Sequence, residues 1–155
     1  MKLYLAGPDV FRPDARQWAA QSQALCAAAG HQALVPLEDG LSAADAIYRN
    51  NLRLLAEADA VLANLNPFRG AEPDSGTCVE IGYALALGKP IFGYAEDMRP
   101  LRERLQAVAG GDGCCRDGEG LAVEDFGLPL NLMLSVPLQL VQGGLAEALR
   151  ELDRA

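Results

Sequence analysis

The sequence has few of the residues that build metal sites, disulfide frameworks and nucleic-acid-binding surfaces. It has one histidine, and its four cysteines, Cys26, Cys78, Cys114 and Cys115, form no CxxC pair, so no zinc-site spacing is present. Adjacent Cys114 and Cys115 are poor disulfide partners for each other, and reduced thiols in a cytosol are the simplest expectation. The net charge of −8 repels a nucleic-acid backbone. We therefore expect no bound metal and no nucleic-acid polymer as a partner.

Long apolar runs and the common nucleotide-binding motifs are also absent. No run approaches the roughly 18 apolar residues of a membrane-spanning helix, and no charged segment precedes an apolar one as in a secretory leader. No GxGxxG or Walker pattern occurs, so dinucleotide and nucleoside-triphosphate binding lose their main support. We expect a cytoplasmic protein that needs no cofactor and does not bind membranes.

The chain instead contains short apolar runs that alternate with helical patterns, and half of its 155 residues are hydrophobic. Strands are predicted at residues 1–6, 31–36, 59–65, 90–94 and, less regularly, 121–123. Helices are predicted at residues 13–29, 42–58 with Ser42 as N-cap, from 75–77 to 88, 99–108, 131–140 and 145–152. Loops are predicted at residues 37–41 and 110–120, the second being a flexible excursion or a lid. This alternation predicts an α/β fold, a single domain over residues 1–155 with a doubly wound parallel five-stranded sheet in the flavodoxin-like order 2-1-3-4-5.

Residues 64–90 combine a glycine- and proline-rich loop with an amphipathic helix, and they contain two carboxylates of interest. Asp74 and Glu80 are six positions apart, which on one continuous helix would turn them about 240° from each other. They converge only if Asp74 lies on the loop before the helix. Such a pair could hold a small polyhydroxylated substrate.

The same residues also fit a purely structural interpretation. Thr77-Cys78-Val79-Glu80 matches the capping box, in which the glutamate bonds back to the helix N-terminus, and Asp74 or Ser75 could be an ordinary cap. Local pattern alone leaves both interpretations open.

Three separated pieces of the chain resemble the nucleoside 2-deoxyribosyltransferase family. They are YLAGPDVF at residues 4–11, NPFRG at 66–70 with DSGTCVEIGYA at 74–84, and NLM at 131–133. The resemblance implies that Glu80 is the nucleophile and that Asp74 holds the deoxyribose. It further implies that Asn131 and Met133 reach the site of a neighbouring subunit, and therefore a homo-oligomer. The alternative is that the apolar segment around them packs on its own core.

The resemblance also implies substrate contacts from other parts of the chain. Tyr4, Ala6, Gly7, Phe11 and Gly76 match positions around the family's active site, with Phe11 lining the nucleobase pocket. Phe11 as a core anchor and Tyr4 as an ordinary strand tyrosine are the alternatives.

The strand-end rule for α/β sheets makes Asn64 and Asn66 candidates for base or sugar contacts. Well-known family members have an aspartate near this point to handle a proton on the leaving base, which an asparagine cannot donate as a carboxylic acid would. The only histidine, His31, is expected to be structural.

These residues predict cleavage of an N-glycosidic bond without a metal. Glu80 would attack the anomeric carbon of a 2'-deoxynucleoside, and a second purine or pyrimidine base would then attack the glycosyl-enzyme. The alternatives are a 2'-deoxynucleoside 5'-phosphate N-hydrolase, whose relatives carry phosphate-binding serines where this chain has Asp74 and Asn131, and a nucleoside- or nucleotide-binding module without catalysis.

Overall fold

A five-stranded parallel sheet forms the centre of the structure, a computed structural model that describes residues 1–37 and 40–155. In the order in which they lie side by side, its strands are β2 (Gln32–Leu34), β1 (Lys2–Ala6), β3 (Ala60–Asn64), β4 (Ile91–Ala95) and β8 (Gln139–Gln142). The central strands are almost continuously buried, as expected for a parallel sheet that is covered on both faces. The predicted doubly wound fold and strand order are confirmed.

Helices cover both faces of this sheet. They are α1 (Ala15–Ala28), α2 (Ala44–Glu57), α3 (Ser75–Ala86), α4 (Leu101–Arg104), α5 (Leu132–Ser135) and α6 (Leu145–Leu152). On one face Leu55 of α2 and Ile81 of α3 pack in a core with Tyr4. On the other face Cys26 of α1 and Leu149 of α6 pack in a second core. The chain therefore forms three layers, with α3 and α1 on opposite faces.

The carboxyl ends of β1 and β3 meet at the point where the chain changes from one face to the other. Ala6 pairs with Ala63, so Gly7 and Asn64 follow at the same edge. A Cβ atom on Gly7 would lie 2.8 Å from Asn64 Cβ, which explains the glycine at this close approach. Such a switch point is where open α/β sheets bind ligands.

The prediction for the fifth strand is wrong. Ala122–Val123 is β7 of a separate antiparallel sheet with β5 (Val108–Ala109) and β6 (Cys115–Arg116), while the fifth strand of the main sheet is β8. The helix predicted over residues 131–140 is accordingly limited to α5. A four-residue strand is too short for periodicity to distinguish it from a helix.

Smaller differences concern helix ends and loops. The helix predicted at residues 99–108 ends at Arg104, and the 110–120 segment contains β6 rather than only loop. The second helix starts at Ala44 with Ala43 as N-cap, so Ser42 is not the cap. Part of the loop predicted at residues 37–41, namely residues 38 and 39, lies outside the described residues.

Within residues 1–37 and 40–155, no helix has the length and apolar character to cross a membrane. In the same part of the chain, no three His, Cys, Asp or Glu side chains are grouped so that they could bind a metal ion.

Candidate active site

The centre of the candidate site is a hydrogen bond between Glu80 of α3 and Tyr4 of β1. Tyr4 is 0% exposed, and its hydroxyl donates to Glu80 Oε1 at 2.6 Å. Burial raises the pKa of Glu80 to about 7, the Tyr4 hydrogen bond opposes this rise, and the negative charge of Asp74 adds to it. Burial and the neighbouring Glu80 also raise the pKa of Tyr4, so the phenol stays a donor. The pair therefore holds one oxygen of a half-buried carboxylate in place.

Asp74, not Glu80, caps helix α3. Asp74 Oδ2 accepts from the backbone nitrogen of Thr77 at 3.0 Å and from the Thr77 hydroxyl at 3.1 Å. The capping-box interpretation of Glu80 is therefore wrong, because its carboxylate bonds Tyr4 instead. Asp74 lies just before the helix, as convergence with Glu80 requires, and its charge acts on the pKa of Glu80. Its Oδ1 takes part in neither cap bond and could accept from a substrate hydroxyl.

Gly76, in the first turn of α3, allows this arrangement. A Cβ atom at this position would lie 3.0 Å from Asp74 Oδ2, tighter than most such contacts in proteins. The structure therefore gives Gly76 a role in accommodating the Asp74 cap, and its contact with substrate remains a prediction.

A network of hydrogen bonds connects polar side chains at the carboxyl ends of β1 and β3. Asn64 Nδ2 donates to Asp9 Oδ2 at 2.7 Å, and Asn64 Oδ1 accepts from both the backbone nitrogen and the side-chain amide of Asn66. Asn66 Oδ1 in turn accepts from the backbone nitrogen of Glu96. Three bonds within the protein thus fix the Asn64 amide, which leaves it fewer free groups for a ligand than the sequence suggested.

An aromatic cleft lies beside this network. Phe11 and Phe68 stack with ring centroids 5.4 Å apart, and the Arg69 guanidinium lies 4.7 Å from the Phe68 centroid. Phe11 is 57% exposed, so the core-anchor alternative is wrong. With Pro8, Asp9 and Arg12 the two rings line a cleft of about 290 Å³. An exposed ring face at a strand end suits a flat heterocycle.

Ala6, a predicted substrate contact, and His31, predicted to be structural, have different surroundings. Ala6 is 3% exposed and packs in the core beneath the site, so its contact with substrate remains a prediction. His31 lies at the far end of the sheet, where Nε2 is 2.8 Å from Asp153 Oδ1, in agreement with a structural role.

Asn131 and Met133 lie at the start of α5. Asn131 Oδ1 caps this helix by accepting from the Met133 nitrogen at 2.9 Å, and Asn131 Nδ2 donates to Glu124 at 2.9 Å. Met133 is 70% exposed. Both residues line a cavity of about 770 Å³ with Ser75 and Cys78, and Glu80 and Tyr4 do not line it. The structure therefore does not bring Asn131 or Met133 into contact with Glu80 of the same chain.

Asp9 is the residue that the sequence analysis missed. It was part of a matched motif, but no role was assigned to it. It is 8% exposed, lines the aromatic cleft and bonds Asn64. The available signal was a carboxylate directly after Gly7-Pro8, at the end of a buried strand.

Comparison with known proteins gives results in line with this geometry. The family model described as Nucleoside 2-deoxyribosyltransferase matches residues 3–133. The solved structure of a 2-desoxiribosyltransferase from Leishmania mexicana is 39% identical, with a TM-score of 0.75, over 86% of this chain and 84% of that one. The uncharacterized protein C191.05c of Schizosaccharomyces pombe is 31% identical over 84% of this chain and 74% of that protein. A CMP N-glycosidase structure from Clostridium botulinum covers 100% of both chains at 17% identity and a TM-score of 0.55, a likeness of fold alone.

Proposed function

The chain belongs to the nucleoside 2-deoxyribosyltransferase family, and we propose that it transfers 2-deoxyribose between nucleobases through a covalent glycosyl-Glu80 intermediate. The observation that carries this proposal is the Tyr4–Glu80 pair at 2.6 Å. A half-buried glutamate that is neither a helix cap nor part of an ion pair, but is held by a buried phenol, is placed for chemistry rather than for stability.

The proposed first step is attack by Glu80 on the anomeric carbon of a bound 2'-deoxynucleoside. The carboxylate forms a C–O bond as the C–N bond to the base breaks, and the positive charge that develops on the sugar is stabilised by the same carboxylate. The Tyr4 hydrogen bond occupies Oε1 and leaves Oε2 to attack. A second base then attacks the intermediate and releases Glu80; attack by water would give hydrolysis.

Asp74 is proposed to orient the sugar. Its Oδ2 is fixed by Thr77, so Oδ1 is held in a defined direction and can accept from a sugar hydroxyl without a large loss of entropy. A fixed carboxylate at this position repels a dianionic phosphate, which favours nucleosides over 5'-nucleotides.

The site is proposed to be completed by a second copy of the chain. Asn131 and Met133 line a cavity that Glu80 of their own chain does not line. Met133 is also one of several exposed apolar side chains in and around α5, together with Phe126 and Val136. Asn131 retains a second N–H that a sugar in the partner's site could accept from. We infer a homo-oligomer in which α5 of one subunit faces Asp74 of the next.

A base-exchange assay tests the proposed reaction. Protein mixed with 2'-deoxyinosine and adenine should release hypoxanthine and form 2'-deoxyadenosine in equal amounts. Release of free base from a 2'-deoxynucleoside 5'-phosphate, without exchange of the nucleoside, would instead support the N-hydrolase. Binding of the nucleoside without turnover would support the binding module.

A further inference from the structure

The proposed transfer leaves one chemical requirement without a residue. When the C–N bond breaks, its electron pair stays on the base, and a purine or pyrimidine anion is a poor leaving group unless a ring atom gains a proton. Glu80 is used as the nucleophile and Asp74 caps α3. The Asn64 amide can donate a hydrogen bond but cannot transfer its proton as a carboxylic acid does.

Asp9 offers a carboxyl group five residues after Tyr4, the hydrogen-bond partner of Glu80. It belongs to the short 3-10 turn Pro8–Phe11, directly after β1, and it is one of only four polar or charged residues described as buried in the structure. Together with Phe11 and Phe68 it lines the aromatic cleft at the β1/β3 switch point. Phe11 offers a face for a flat base, and Asp9 lies two positions before it on the same turn.

Its surroundings hold the carboxyl in one orientation. Asn64 Nδ2 donates to Oδ2 at 2.7 Å, and the Asn64 amide is itself fixed by Asn66. The other oxygen, Oδ1, forms an ion pair with Arg12 Nη1 at 3.9 Å, a distance too long for a hydrogen bond. One oxygen is therefore bound by the protein, and the other remains for a ring nitrogen or exocyclic group of the base.

We propose that Asp9 is the general acid and base for the nucleobase, with Asn64 as the residue that positions it, an inference that rests on the proposed transfer reaction. In the first half-reaction, a Glu80 oxygen forms a bond to the anomeric carbon, the C–N bond breaks, and its electron pair stays on the base. The Asp9 carboxyl gives its proton to a ring nitrogen of that base, which leaves as the neutral molecule.

In the second half-reaction the proton moves in the opposite direction, from the base to Asp9. The ring nitrogen of the incoming base attacks the anomeric carbon, the C–O bond to Glu80 breaks, and the Asp9 carboxylate takes up the proton that the base loses. Asp9 and Glu80 thus return to their starting states without another reagent.

The test compares two substrates that differ in their need for a proton. The base of 2'-deoxyinosine requires protonation to leave well, whereas the N7-methylated base of 7-methyl-2'-deoxyguanosine is already cationic and leaves as a neutral molecule. Asp9→Asn keeps the size of the side chain and an acceptor for Asn64 but has no transferable proton. Turnover of 2'-deoxyinosine should fall about 10²- to 10⁴-fold, and turnover of 7-methyl-2'-deoxyguanosine less than about tenfold.

Two controls make the comparison specific. Asp14→Asn removes a neighbouring exposed carboxylate of the same segment and should leave turnover of both substrates unchanged. If Asp9→Asn fails to fold by circular dichroism, Asn64→Ala replaces it. Asn64→Ala keeps the Asp9 carboxyl but removes its 2.7 Å anchor, so it should also slow 2'-deoxyinosine more than the methylated substrate.

The outcomes separate the two proposals. Selective loss of 2'-deoxyinosine turnover supports Asp9 as the proton-transfer residue. Equal loss on both substrates, or loss on neither, in an active wild-type background would refute it while leaving the transferase proposal intact. A wild-type protein that cleaves neither nucleoside would refute both.

Discussion

Replacing Glu80 by glutamine should stabilise the protein at neutral and alkaline pH. Burial raises the pKa of Glu80 from its ordinary value near 4.5 to about 7, which means that the folded state disfavours the charged carboxylate. At about 1.4 kcal/mol per pH unit, ionised Glu80 lowers the free energy of unfolding by about 3–4 kcal/mol. Glu80→Gln removes this charge and keeps an oxygen that can accept from the Tyr4 hydroxyl.

The sign of the pH dependence follows from proton binding. Between pH 4.5 and 7 the unfolded chain has lost the Glu80 proton while the folded chain still holds it, so wild-type stability falls as the pH rises through this window. Glu80→Gln has no ionisable group at this position, so it does not lose stability in this way. Its stability advantage over wild type should therefore grow by about 3 kcal/mol from pH 4.5 to pH 8.

Urea unfolding at a series of pH values measures this difference directly. Glu103→Gln, which alters an exposed carboxylate on α4, is the matched control, and its difference from wild type should change by less than about 0.5 kcal/mol over the same range. A Glu80→Gln advantage that stays constant with pH would refute the argument that Glu80 carries a buried charge.

The remaining predictions concern activity and packing. Because Glu80 must be ionised to attack, kcat/KM should show an acid limb near pH 7, on which it rises with pH. Tyr4→Phe should move this limb to higher pH and Asp74→Asn should move it to lower pH, and shifts in the same direction would contradict the assigned electrostatics. Inactive Glu80→Ala and inactive Asn131→Ala chains, once co-assembled, should regain activity, and confirmed hetero-assembly without activity would show that the sites are self-contained. Gly7→Ala should lower the free energy of unfolding by about 1–3 kcal/mol, and unchanged urea unfolding would contradict the close approach of β1 and β3.

The sequence was sufficient to predict the parts of the fold that repeat a strong pattern. Residues 60–63 form a continuous apolar run within the strand predicted at 59–65, and residues 75–88 form a helical stripe that ends at Gly88. Both elements are found where predicted. The fifth strand of the main sheet was predicted wrongly, as β7 instead of β8, for a different reason. Gln139–Gln142 contains only two apolar residues between glutamines, and its place in the sheet depends on the free edge of β4 rather than on local pattern.

The parts of the candidate site that could be predicted are those that depend on the spacing of residues within one short segment. Asp74 before the helix and Glu80 within it follow from a six-residue interval and a helix start. The Tyr4–Glu80 and Asp9–Asn64 bonds join residues 76 and 55 positions apart, so they depend on how two strands, a 3-10 turn and a helix pack together. The local signal for Asp9, its place directly after Gly7-Pro8 at the end of β1, does not reveal that its partner is Asn64.

Mass spectrometry of the protein during turnover tests the central claim, that Glu80 is a glycosylated nucleophile. Wild-type protein mixed with 2'-deoxyinosine and no acceptor base, then quenched in acid, should gain the mass of one deoxyribosyl group, and peptide mapping should locate it on Glu80. Added adenine should remove the adduct and form 2'-deoxyadenosine, and Glu80→Gln should show neither event. Base exchange at the wild-type rate by folded Glu80→Gln protein, or an adduct on another residue, would contradict the account.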